Sequence, residues 1–278
     1  LIDELGVAYI EGGWPGASPK EEEFFDTAKK ELKLKNAKLV SFGSTRKLNI
    51  KVEEDSQVAA LVNSGTDYVC IVGKSSKLHI TKAIQATVDE AIEMAVDTIN
   101  YLVQNKKKVF FDAEHFFDGY KEDSQTSLKI LESVVTAGAD CFIFCDTNGG
   151  TLPGEVRKIL SEVIEKYPKT KFGVHFQNDN GCAVVNSMVA VDLGVDHVQG
   201  TINGLGERAG NAALEEVVMA IKTRPDLMPY ETGINTTLIS KASKIVSNAT
   251  GFPVQYNKAI VGKNAFAHES AIHQDGML

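Results

Sequence analysis

The sequence has few of the residues that would signal a stapled, membrane-bound or nucleic-acid-binding protein. It has four cysteines, seven prolines and one tryptophan in 278 residues. Cys70, Cys141, Cys145 and Cys182 form no Cys-x-x-Cys pair. The first three lie in apolar runs, which implies buried free thiols and a reducing, cytoplasmic setting. No apolar run approaches the roughly 18–20 residues that a membrane-spanning helix needs. There is no cationic excess either. Lys and Arg number 29 against 37 Asp and Glu, a formal charge of −8. Phosphate contacts need clustered cations, so a nucleic-acid partner is not expected. The longest basic run, Lys106-Lys107-Lys108, reads as a solvated helix end. No secretory signal is visible. Leu1 to Gly6 reads as the tail of a helix, so the expectation is a chain that begins part-way into its fold.

The remainder has an ordinary globular composition, 43% hydrophobic and 24% charged. Seven short β-like runs begin near Val7, Lys38, Asp67, Lys108, Cys141, Lys171 and His197, spaced 26 to 41 residues apart. Helical patterns fill the gaps. Ser18-Pro19-Lys20-Glu21 has the form of an N-cap followed by a first-turn proline and a capping glutamate. Thr87 to Glu90 repeats the capping signature ahead of Ile92, Ala95, Val96, Ile99 and Leu102. Gly65, Gly138 and Gly194 each fall where a helix would end. Strand and helix alternating at about 30 residues per unit imply a parallel sheet. The expectation is a (β/α)8 TIM barrel over residues 1–222 that lacks its first strand, with an open doubly wound sheet as the rival. After Lys222 the pattern changes, and residues 223–278 read as a mainly helical C-terminal appendage.

Active sites of such barrels lie at the C-terminal ends of the strands, and polar residues gather at those ends here. Alternate strand residues share a face, roughly 7 Å apart. His175 and Gln177 would therefore point together into the barrel, as a metal-binding pair or as a structural hydrogen-bonded pair. Asp112 and Glu114 would do the same; two acids inside a barrel need a cation or a metal, and the alternative is a surface salt bridge. The stretch Gly200 to Asn211 holds four glycines in twelve residues but not the Gly-x-Gly-x-x-Gly spacing of a dinucleotide loop. It reads as a tight loop with an internal Glu207–Arg208 pair, or as a loop that brings Glu207, Arg208 and Asn211 over the barrel mouth. His268 and His273 are five apart and would not share a helix face, which disfavours a two-histidine metal site there.

Those residues resemble a known family, the Claisen-condensing acyltransferases that share a barrel with 3-hydroxy-3-methylglutaryl-CoA lyase. Asn203 to Asn211 and Ala265 to Gly276 carry the most specific part of the likeness. Gly12 to Gly16, Phe42 to Arg46, Asp112 to Tyr120 and Asp146 to Thr151 are similar to citramalate synthases. Asn211 to Lys222 and Lys258 to Asp275 are closer to 2-isopropylmalate synthases. The resemblance implies a divalent ion (Mg, Mn or Zn) that chelates a 2-oxo acid, with acetyl-CoA as co-substrate. It places His175, Gln177 and Asn211 around the metal. Glu114 becomes the acid that works with an arginine near the reacting carbonyl, and Thr147 and Glu11 lie along the substrate. His273 becomes a histidine that reaches the partner subunit's active site, which implies a homodimer. Pyruvate is the favoured 2-oxo acid, giving citramalate. The variant is 2-oxoisovalerate, giving 2-isopropylmalate, and reverse cleavage by a lyase is more distant. A non-catalytic metabolite-binding barrel is the reading from another class. Two departures from the family pattern stand out. Gln177 replaces the second histidine of His-x-His, and the first strand, with its Asp ligand and catalytic Arg, is not in the sequence, so the piece alone is expected to be inactive.

Overall fold

A computed structural model describes residues 1–277. Seven strands form one sheet: β1 Tyr9–Glu11, β2 Lys38–Ser44, β3 Tyr68–Lys74, β4 Lys108–Glu114, β5 Cys141–Asp146, β6 Phe172–Phe176 and β7 His197–Gln199. Their spatial order is their chain order, and every pairing is parallel. A doubly wound sheet reverses its order at a switch point; this sheet never does. It is the wall of a TIM barrel with seven strands, open between β1 and β7. The Tyr9 and His197 rings stack at 5.4 Å, so the two edge strands meet through their side chains.

Eleven helices are present among the described residues: α1 Ile2–Leu5, α2 Pro19–Glu31, α3 Ser56–Asn63, α4 Lys77–Lys82, α5 Val88–Gln104, α6 Phe116–Thr136, α7 Pro153–Lys166, α8 Ala183–Asp192, α9 Leu214–Thr223, α10 Ile239–Thr250 and α11 Ala271–Asp275. Their ends follow local chemistry. The Ser18 hydroxyl accepts the Glu21 N–H at the start of α2, behind Pro19. Thr87 and Glu90 complete a reciprocal capping box at α5. Gly6 closes α1 at φ +93°, a conformation that a side chain rarely tolerates. The Lys106–Lys108 run is the turn from α5 into β4. Lys107 is partly buried there and donates to the Thr66 carbonyl, so only part of that run is the solvated end expected.

The strand pleat divides the core in two. Outward residues such as Ile71, Phe111, Phe142, Phe144, Val174 and Phe176 pack under the helices and are fully buried. Inward residues Tyr9, Val40, Tyr68, Cys70, Phe110, Cys141, Ile143 and Cys145 fill the barrel. Continuous apolar strands of this kind are what a sheet covered on its outer face requires. Beyond α9, residues 224–277 are helical and irregular. Ile239 and Ala242 on α10 pack against Leu5 and Val218. No described helix is long and apolar enough to cross a membrane.

Candidate active site at the barrel mouth

Glu11, Ser44, Lys74, Glu114 and Gln199 end their strands on the inward face, and β6 carries His175 one residue before its end. Two residues back, the same face carries the next layer of the interior. In the middle layer, Asp112 is buried. Its Oδ1 accepts from Gln199 Nε2 at 3.0 Å and from the Cys70 thiol at 3.2 Å. Gln199 Oε1 lies 2.6 Å from His175 Nδ1. With Nδ1 protonated to meet that oxygen, His175 Nε2 is left as an acceptor or a ligand. Gln177 Nε2 sits 3.4 Å from it. One polar chain therefore runs from Asp112 through Gln199 and His175 to Gln177. Burial pushes Asp112 up to about 6, against the pull of its Cys70 and Gln199 donors. Glu11, at the end of the edge strand β1, is exposed, although protein atoms crowd its carboxyl. That confinement and the charge of Asp112 push it up to about 7, with His175 opposing. Burial also lifts the Cys70 and Cys145 thiols well above their usual range. All four cysteines are free, and Cys182 alone among them is partly exposed.

Nearer the mouth, Glu114 forms an ion pair with Lys74, its register partner on β3. Thr147, just past β5, accepts the His115 N–H on its hydroxyl at 2.9 Å. Its carbonyl accepts from Arg208 at 2.7 Å. Arg208 also makes a two-pronged pair with Asp179, at 2.8 and 3.0 Å. It approaches Glu207 only to 3.8 Å, so the expected internal pair is secondary to the bond to Asp179. The glycine loop folds Asn211 back beside Gln177, the two residues forming an isolated antiparallel bridge. A Cβ on Gly206 would lie 2.8 Å from the Asn211 amide, so a side chain there would push that amide from its place.

Among the described residues, the carboxamide oxygens of Gln177 and Asn211 are both buried and meet no donor. Leaving such acceptors unmet costs on the order of 1–3 kcal/mol each. By donor chemistry, these two oxygens and His175 Nε2 are the atoms that would hold a divalent cation, and such an ion would satisfy both oxygens. No group of three or more His, Cys, Asp or Glu side chains is placed to hold a metal among the described residues. Any ion here would depend on amide oxygens.

The structure thus gathers Glu11, Glu114, Thr147, His175, Gln177 and Asn211 at one end of the barrel. His273 stands apart, exposed on α11, with its ring 6.3 Å from that of His268. Lys74, Cys70 and Gln199 belong to the site and were not anticipated from the sequence. A lysine two residues after an inward position of β3 was the available signal for Lys74.

A family model described as HMGL-like matches residues 1–246. The chain belongs to the HMGL-like family. Among HMGL-like relatives, it is 44% identical to the (R)-citramalate synthase of Aquifex aeolicus, over all of this chain and 52% of that protein. It is 40% identical to the 2-isopropylmalate synthase of Methylorubrum populi, again over all of this chain and 52% of that protein. The chain spans about half the length of the curated relatives it matches. The HMG-CoA lyase of Bacillus subtilis superposes with a TM-score of 0.76 at 19% identity, covering 92% of this chain and 86% of that one. At that identity the likeness shows a shared HMGL-like barrel.

Proposed function

We propose that the chain is the barrel portion of a metal-dependent acyltransferase that condenses acetyl-CoA with pyruvate to give citramalate, in a cytoplasmic branched-chain amino-acid pathway. We take residues 1–222 as the catalytic barrel and 223–278 as the start of a C-terminal subdomain. The observation that carries the reading is the mouth itself. An ion-paired acid, Glu114–Lys74, shares it with an imidazole and two donorless amide oxygens.

In this reading His175, Gln177 and Asn211 hold the ion. A bound divalent ion supplies Lewis acidity toward a 2-oxo acid. The Thr147 hydroxyl already accepts the His115 N–H, so its own proton is free to donate to a substrate carboxylate. Glu11 borders the same space. The overall reaction takes a proton from the acetyl methyl, joins that carbon to the keto carbon, and hydrolyses the thioester with one water to free CoA. Glu114 manages protons at the carbonyl that becomes a hydroxyl. His273, exposed on α11, would reach the site of a partner subunit in a homodimer and assist proton transfer.

The second reading is 2-isopropylmalate formation from 2-oxoisovalerate, favoured by Asn211 to Lys222 and Lys258 to Asp275. The substrates differ by a methyl against an isopropyl group, a few kcal/mol of pocket contact at most. The test is release of free thiol from acetyl-CoA by the whole protein with Mg²⁺ or Mn²⁺. Faster release with pyruvate supports citramalate formation, and faster release with 2-oxoisovalerate supports the second reading. Binding of either 2-oxo acid without thiol release would leave a metabolite-binding barrel.

A further inference from the structure

The turn after β3 holds the end of β4 at four places. Lys74 and Glu114 face each other across the β3–β4 register, both pointing inward, and their side chains are 25% and 24% exposed. The Ser75 N–H donates to the Glu114 carbonyl at 3.1 Å, and the Ser75 hydroxyl donates to the same oxygen at 2.7 Å. One turn on, the His79 ring lies flat on the His115 ring, with centroids 3.6 Å apart and planes 5° apart. Helix α6 braces the turn from behind. The Ser127 hydroxyl donates to the Ser75 carbonyl, and a Cβ on Gly119 would lie 2.6 Å from that same oxygen. His115 itself sits at φ +58°, a left-handed conformation uncommon outside glycine, held by the Thr147 hydroxyl on its N–H.

Backbone bonds would be enough to fix strand ends. What they leave free is the Glu114 carboxylate, which has three rotatable bonds. Among the described residues Lys74 is its ion-pair partner. Among the described residues, Asp112, the neighbouring inward acid, is met by neutral donors alone. The two carboxylates are therefore treated differently, and the one at the mouth receives the cation.

We propose that Lys74 is a positioning residue for Glu114. Its ammonium aims the carboxylate at the reacting carbonyl and compensates its charge as a proton is exchanged there. The inference rests on the proposed condensation. It adds a cation from β3 to the arginine that the family resemblance places near the same carbonyl.

The experiment uses the whole protein with Mn²⁺, acetyl-CoA and the better 2-oxo acid. Lys74→Met should lower kcat by about 100-fold and leave both KM values within about threefold, because a transition-state interaction is removed rather than a binding contact. Lys74→Arg should recover to within about tenfold of wild type, since the charge is kept and the reach differs. Lys74→Ala should regain turnover on addition of ethylammonium, a response that a purely structural lysine would not give. Lys74→Met with kcat within about threefold of wild type, or with only KM raised, would overturn the proposal. A second arm does not depend on turnover: acetic anhydride labelling of Lys74, followed by mass spectrometry. Glu114→Gln should speed that labelling at least about fivefold, because the amine is then no longer held against a carboxylate. Equal rates would show that the pair does not form. Absence of thiol release in the wild type together with faster labelling would remove the condensation reading and keep the Lys74–Glu114 pair.

Discussion

The floor and the mouth of the barrel interior are made by the same strands and do opposite things. On the floor, Tyr9, Tyr68, Phe110 and His197 pack ring against ring at 5.0–5.6 Å. At the mouth, Lys74, Glu114, His175, Gln177 and Asn211 hold charges, ring nitrogens and amide oxygens. Two steps of the strand period turn Phe110 into Asp112 and then Glu114, and three turn Tyr68 through Cys70 and Val72 into Lys74. Strand composition says little about role; depth along the strand decides it. Packing at one end supplies the rigidity that lets the other end keep unmet polar atoms.

If the two ends are divided in this way, substitutions should separate turnover from stability. Glu114→Gln in the whole protein should lower kcat by about 10³-fold, within the usual range for removing a proton-transfer group. Its melting temperature should stay within about 2 °C of wild type, since one mouth group is replaced by a near-isostere. A kcat within about tenfold of wild type would take Glu114 out of the chemistry. On the floor the balance reverses. Phe110 is 5% exposed and touches three other rings. Phe110→Ala should cost about 3–4 kcal/mol in urea unfolding while the folded fraction keeps its specific activity. A loss below about 1 kcal/mol would mean that the floor collapses around the cavity and contributes little rigidity.

The same division explains what could be read from the sequence. The seven strands were legible because each unit is punctuated locally, by Ser18 and Thr87 at helix starts and by Gly65, Gly138 and Gly194 at helix ends. His175 with Gln177, and Asp112 with Glu114, were legible as facing pairs because strand alternation is also local. Lys74 was not, because its meaning lies 40 residues away on β4. Gln199 was hidden for the same reason. It is one polar residue in a three-residue strand, and only the barrel's curvature brings it to Asp112 and His175. Arg208 was legible as a residue over the mouth or as the partner of Glu207, but Asp179, to which the loop's fold delivers it, was not legible as its partner.

The floor also carries a pH signature. Burial pushes His197 down to about 4, so the folded chain holds it neutral. The unfolded chain, with an ordinary value near 6.5, takes up the proton first. Stability from this group is therefore complete above pH 6.5 and is lost as pH falls from 6.5 toward 4, by about 2–3 kcal/mol. His197→Phe keeps the stack on Tyr9 and Phe110 and removes the titration. Its stability relative to wild type should rise as pH drops through that window, measured by urea unfolding at pH 7, 5.5 and 4.5. A pH-independent difference would show that His197 is not held neutral. Asp112 works in the opposite sense: its raised value favours the fold at low pH, which is why the comparison must be variant against wild type.

The smallest expected effect tests the mouth at its most unusual residue. Gln177 offers a carboxamide oxygen where the family resemblance calls for a second histidine, and that oxygen is buried without a donor. A neutral amide oxygen is a weak ligand, and imidazole nitrogen binds Mn²⁺ and Zn²⁺ more strongly. Gln177→His should therefore tighten Mn²⁺ binding by about tenfold in calorimetric titration, and Zn²⁺ binding by more. Mg²⁺, which prefers oxygen, should gain little. This ordering of metals separates a ligand position from a neighbouring one. A general relief of strain at residue 177 would improve all three ions alike, and a position remote from the ion would change none. A gain that follows nitrogen affinity would show that residue 177 faces the ion and that glutamine there weakens metal binding.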